Sequence, residues 1–188
     1  MQCPKDKNET LVDGFLSGDL PVKHCVECQG SWISSTDYEP WRSQQRRQMV
    51  PPTYVTREVG RDFIPPETDM KAGLCPECNR YLSRSKVMAK NPFYVERCPS
   101  CGGFWCDRGE WEILEELELH DSLEQIFSGE WQARVRSVLQ SEKERDATID
   151  KLGPDVAEMV FQLAEVLEQH PNGDFGVAYL MRRFDRPQ

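Results

Sequence analysis

Apolar residues in the last third of this chain recur at the period of a helix. In DVAEMVFQLAEVLEQH, Val156, Met159, Val160, Phe161, Leu163, Ala164, Val166 and Leu167 form a broad apolar surface, while Glu158, Gln162 and Glu165 occupy the opposing stripe. Gly153-Pro154 resets the chain ahead of this run, with Pro154 suited to a first helical turn. Pro171-Asn172-Gly173 ends it, and GDFGVAYLMRRF predicts a further short helix. The pair makes a helical hairpin with more apolar area than two helices hide from water. Packing against helices predicted over 108–148, or a partner seated in a groove, would cover it, at about 25 cal/mol per Å² of apolar area buried.

The helical pattern starts earlier. Asp107-Arg108-Gly109-Glu110 has the side chains of an N-cap and its return contact. Trp111, Leu114, Leu117 and Leu123 then supply a face that packs back on the preceding segment, so Glu110 reads as a cap and not as an acid–base group. Ser128-Gly129-Glu130-Trp131 opens another helix, with Val135, Val138 and Leu139 at its apolar positions before SEKERDATID turns polar.

Upstream the period shortens. Residues 80–97 carry Arg80, Arg84, Lys86, Lys90 and Arg97 interleaved with Tyr81, Phe93 and Tyr94. Such a strip suits single-stranded RNA, through phosphate contact and stacking; the same alternation also builds a hairpin with one apolar face. Residues 36–70 contain Pro40, Pro51, Pro52, Pro65 and Pro66, which restrict continuous regular structure. A short helix around SQQRRQMV is the most this segment predicts, and it reads as a connector. Its Arg42, Arg46 and Arg47 face either solvent or an acidic partner.

Composition narrows the class. The 188 residues suffice for one ordinary domain or several small ones. No apolar stretch approaches the roughly twenty residues that cross a bilayer, and MQCPKDKNETLVDG lacks the basic region and apolar run of a secretory signal. A cytoplasmic location is the default expectation. The net charge of -9 is uneven: residues 1–105 hold 14 Lys or Arg and 13 Asp or Glu, while the remainder holds 9 and 19. That balance opposes a large surface for duplex DNA.

The eight cysteines then change the picture. Six lie in Cys-x2-Cys pairs, and no export signal sends them to an oxidising compartment, which favours metal over disulfides. Cys75-Pro76-Glu77-Cys78 is followed after 19 intervening residues by Cys98-Pro99-Ser100-Cys101. Two such turns joined by a hairpin would set four thiolates tetrahedrally around zinc, a structural site and not a redox dithiol.

The N-terminus holds an altered copy. Cys3-Pro4-Lys5-Asp6 and Cys25-Val26-Glu27-Cys28 occupy the corresponding places, Gly30 falls opposite Gly103, and Trp32 opposite Trp105. Leu11 and Leu82 align after a one-residue offset. Agreement beyond the ligands indicates an internal duplication. Asp6 stands where the second copy has Cys78, so Cys3, Asp6, Cys25 and Cys28 make a mixed zinc site. His24 is a competing ligand, and a three-ligand or metal-free site the remaining alternative. Cys106 matches the apolar Ile33 and reads as a buried free thiol; Trp32 and Trp105 read as covers over small cores.

These motifs resemble the transcription-factor zinc-finger family, the zinc ribbon of the transcription factor IIB type. The second copy, CPEC followed by CPSCGGFWCDRGEWEIL, carries the sharper signature. The resemblance implies that Cys75, Cys78, Cys98 and Cys101 are zinc ligands; Cys106 replaces the family's usual aliphatic residue and Asp6 departs from its cysteine set. Related bacterial ribbon proteins are compatible with assembly or interaction roles, so the family's transcriptional label does not by itself imply transcriptional activity.

The expected fold class is small α+β: two zinc-ribbon modules followed by an all-α helical tail. The expected divisions are a degenerate ribbon at 1–40, a proline-rich connector at 41–70, a four-cysteine ribbon with its helix at 71–119, and an acidic helical region at 120–188. No serine, cysteine or paired-carboxylate active site is evident, His24, His120 and His170 are isolated, and no phosphate-binding glycine loop occurs. The expected function is a non-enzymatic zinc-binding adaptor or assembly factor for a protein partner. The alternative is a transcription-related or single-stranded RNA-binding ribbon protein.

Overall fold

Alternation around Gly14 folds into a hairpin of β1 (Val12–Leu16) and β2 (Leu20–His24), in register from Val12↔His24 to Leu16↔Leu20. In the computed structural model, which describes residues 1–45, 50–56, 59–60 and 62–185, β2 pairs next with β3 (Ser31–Ile33). The second copy repeats the plan with β4 (Ser83–Val87), β5 (Phe93–Arg97) and β6 (Phe104–Cys106). β3 then pairs antiparallel with β6, which makes one six-stranded sheet in the order β1-β2-β3-β6-β5-β4.

The central seam explains two residue types at once. Trp32 sits opposite Trp105, and both indoles are fully buried. A Cβ on Gly30 would meet Trp105 Cζ2 at 2.3 Å, and one on Gly103 would meet Trp32 Cζ2 at 2.3 Å. Each copy thus keeps a bare backbone under the other copy's tryptophan, so the repeat is built as a pseudo-two-fold pair. Leu11 and Leu82 join this core, together with Cys3, Cys25, Cys75 and Cys98.

Each ribbon is followed by a helix. α1 (Ser35–Gln44) starts where Ser34 Oγ accepts from the Asp37 amide at 3.1 Å. Pro40 lies inside it, contrary to the expectation that prolines would keep this stretch irregular. One intrahelical bond is forfeited there, but Tyr38 and Trp41 bury the helix against the rest. The Tyr38 hydroxyl donates to His120 O at 2.9 Å and accepts from the Leu123 amide at 3.0 Å; the Trp41 indole donates to Asp19 Oδ1 at 2.7 Å. The middle of SQQRRQMV, with Arg46 and Arg47, lies outside the described residues.

α2 (Glu110–Glu116) is the counterpart after the second ribbon. Trp111, Leu114 and Leu117 are buried as the pattern predicts, and Leu123 is buried at the start of α3 (Leu123–Ile126). Only half of the predicted capping box forms. Glu110 Oε2 accepts from the Asp107 amide at 2.7 Å, while the Asp107 carboxylate turns away from the helix to accept from the Trp105 indole at 2.9 Å.

α4 (Gly129–Leu152) runs through SEKERDATID without interruption. Trp131 stacks on Tyr54, with centroids 5.3 Å apart. The chain divides into two compact units, Met1–Val138 and Leu139–Gln188. In the second, α5 (Pro154–Gln169) and α6 (Gly173–Phe184) form the predicted hairpin. The end of α4 meets α5 through Arg145, whose guanidinium lies 4.0 Å from the Phe161 ring centre and pairs with Glu158 at 3.5 Å. Among the described residues no helix is long and apolar enough to cross a membrane.

Candidate metal centres

The Cys-x2-Cys turns close through backbone bonds that aim their sulfurs at one point. Asn79 N–H donates to Cys75 O at 2.9 Å, Gly102 N–H to Cys98 O at 3.0 Å, and Gln29 N–H to Cys25 O at 2.9 Å. The closing residues take positive φ: 58° at Asn79, 81° at Gly102 and 59° at Gln29, values that glycine and asparagine tolerate best.

Cys75, Cys78, Cys98 and Cys101 converge, with all four sulfurs within 4.8 Å of one another. The Cys75–Cys101 and Cys78–Cys98 separations are both 3.4 Å. Zinc–sulfur bonds of about 2.3 Å in a tetrahedron set sulfurs roughly 3.8 Å apart, so this set fits zinc. Burial pushes the Cys98 thiol up, but N–H donors from Cys101 and Ser100 outweigh it and bring it down to about 7. Burial dominates at Cys75, which rises to about 11, and at Cys101, which also rises. Bound zinc would hold all four as thiolates and supply a structural cross-link between the two turns.

The first site holds three of the four expected ligands. Cys3, Cys25 and Cys28 lie within 4.8 Å of one another, with Cys3 and Cys28 3.5 Å apart. The hydrogen bond with Cys28 pulls the Cys3 thiol down to about 6. Asp6 stands outside this sulfur group. Its amide donates to Cys3 Sγ at 3.2 Å, and its carboxylate accepts from the Asn8 amide at 3.0 Å to close its own turn. That turn is one residue longer than its counterpart: Cys3 N–H reaches Glu9 O, whereas Cys75 N–H reaches Arg80 O. The His24 ring also points elsewhere, with Nδ1 3.2 Å from Ser31 Oγ. Three thiolates remain, a set that zinc would occupy with one position to spare. Cys106 belongs to neither group; it is fully buried, and burial raises its thiol well above the usual range.

Between the ribbons lies a polar hub that the sequence reading missed. Lys5 follows the first ligand of copy one, and its side chain has no exposed surface. Its ammonium donates to Glu96 Oε1 at 2.5 Å, Lys71 O at 2.7 Å and Thr68 O at 3.1 Å, and lies 3.3 Å from Asp107 Oδ2. Asp69, Asp107 and Glu110 converge within 4.8 Å. Arg84 adds a second cation, with Nε 3.4 Å from Glu96 and Nη2 3.7 Å from Asp69. Burial raises Glu110 well above the carboxylate range and lifts Glu96 to about 7, the latter opposed by Lys5. Two cations and elevated carboxyl groups keep the hub near neutrality. Charged side chains default to the surface, so nothing local in the sequence marks these as interior.

The proposed nucleic-acid strip is divided. Phe93 is fully buried. Arg84 and Lys86 share a face with their cross-strand partners Glu96 and Tyr94, and Arg84 is held in the hub. Arg97, on the opposite face, lies 5.5 Å from the Phe104 ring centre. Tyr81 is exposed, and on the Arg84 face the Tyr94 ring centre lies 4.2 Å from the Arg84 guanidinium and 5.8 Å from Lys86 Nζ.

Residues 2–43 and 74–117 match the profile of the family described as Transcription factor zinc-finger. The two matches take in both cysteine groups and both following helices, α1 and α2. No curated protein and no solved structure matches the chain. Residues 2–43 and 74–117 are thus each similar to the transcription factor zinc-finger ribbon, the second with its four cysteines gathered and the first with three.

Proposed function

We propose that this protein is a non-enzymatic zinc-binding adaptor or assembly factor of the cytoplasm, which holds a protein partner through its ribbons and helical tail. The carrying observation is the apolar surface of α5 and α6: Met159, Val166, Phe175, Met181 and Phe184 are 61–85% exposed. Exposure on that scale marks a binding surface. The four-sulfur site supports a structural role for its metal, because four thiolates leave no place for substrate, whereas the three-thiolate site would leave one position for water. The divided basic strip and the acidic second half both weigh against nucleic acid as the main ligand.

Native affinity capture, with zinc retained and nuclease added, tests the reading. A protein partner should survive nuclease and be depleted when Met159→Ser and Val166→Ser are combined. Tight RNA binding by the purified chain, together with no recoverable partner, would contradict it.

A further inference from the structure

We propose that the first ribbon is an open metal site. Cys3, Cys25 and Cys28 hold zinc through three thiolates, and the fourth corner, on the solvent side, takes a thiolate from outside the chain.

Three corners of this site repeat those of the second ribbon. Cys3 and Cys28 lie 3.5 Å apart, and their counterparts Cys75 and Cys101 lie 3.4 Å apart. Burial follows the same order: Cys3 and Cys25 are buried like Cys75 and Cys98, and Cys28 is half-buried like Cys101. The amides of Lys5 and Asp6 donate to Cys3 Sγ at 3.4 and 3.2 Å, which supports negative charge on that sulfur. The frame for a thiolate-held metal is kept, although one ligand is lost.

The turn around position 6 explains the loss. In the other three cysteine turns a residue of positive φ, Asn79, Gly102 or Gln29, donates to the carbonyl of the first cysteine. Lys7 stands at the place of Asn79, but its φ is not positive and it makes no such bond to Cys3 O. The chain instead runs on to Glu9 before it pairs with Cys3, and the Asp6 carboxylate accepts from the Asn8 amide. Among the described residues no further His, Cys, Asp or Glu joins the three sulfurs.

The corner that residue 6 leaves unfilled corresponds to Cys78, the exposed cysteine of its set. A donor there arrives from solvent, and Cys78 shows that the frame accepts sulfur at that place. Three thiolates make the site soft, which favours a further thiolate over a carboxylate or an amine; water takes the position otherwise. A fourth thiolate gives the site the same charge as the one in the second ribbon. Small thiols and protein cysteines share this chemistry.

Cobalt(II) in place of zinc in the full-length chain tests the proposal, because its visible bands report the donors around each ion. Wild type should bind about two equivalents. 2-Mercaptoethanol should shift the bands of one ion and leave those of the other, with total metal unchanged and half-saturation at or below roughly 1 mM. Asp6→Asn should respond like wild type. Asp6→Cys with Lys7 removed restores the run Cys-Pro-Lys-Cys-Asn, with Asn8 at the place of Asn79; this variant should give two four-sulfur spectra and no response to thiol. The tripeptide Gly-Cys-Gly separates the sources. Binding at least about tenfold tighter than 2-mercaptoethanol assigns the corner to a protein cysteine, and equal or weaker binding assigns it to a small thiol. A single bound cobalt, a wild-type spectrum indifferent to both thiols, or a spectrum altered by Asp6→Asn overturns the proposal.

Discussion

Lys5 shows how far a single side chain departs from its default. Its ammonium carries four oxygen contacts, and the ribbon that supplies it differs from the one that supplies Glu96 and Asp107. Breaking a buried pair by removing one partner strands the other charge in the interior, at about 3–5 kcal/mol. Lys5→Met should therefore lower the unfolding free energy of the zinc-loaded protein by about that amount, read by urea denaturation, and a loss under ~1 kcal/mol would mean the hub is hydrated and weak. The ligand cysteines were legible because Cys-x2-Cys spacing is a local property of the chain. Lys5 was not, because its burial depends on a partner 91 positions away. Asp6 lies between these cases: it holds the position of a ligand, but one extra residue in the turn lets its carboxylate close the backbone locally.

At the scale of elements, the seam between β3 and β6 decides how the two copies meet. The pairing of Gly30 with Gly103 and of Trp32 with Trp105 was readable as duplication. That each tryptophan covers the other copy's glycine was not, since a repeat in sequence does not say whether its copies stand apart or pack. Gly103→Ala would put a methyl 2.3 Å from Trp32 Cζ2 and 2.9 Å from Ile33 O. Overpacking of this kind costs about 1–3 kcal/mol. Gly129→Ala, where a Cβ meets nothing within 4 Å, is the control. Thermal or urea unfolding should separate the two, and equal stability of both variants would contradict the seam. α1 was hidden by its proline, although Ser34 and Asp37 at cap spacing and Tyr38 with Trp41 on one face were signals in its favour. Propensity was outweighed there by the cap and the burial of two aromatic rings.

Over the whole molecule, two ribbons share one sheet and one core, and the helices of the tail form a separate compact unit. The helical period of the tail was legible because amphipathic spacing survives without tertiary context. Four of the eight residues in the buried cluster the ribbons share are cysteines, so metal is expected to order the Cys-x2-Cys turns. Zinc content and limited proteolysis of wild type and Cys78→Ser, measured together, test this most directly. The variant should lose about one equivalent of zinc and become susceptible to protease between residues 74 and 106. Unchanged zinc and unchanged protection would show that these four sulfurs do not hold the metal that organises the fold.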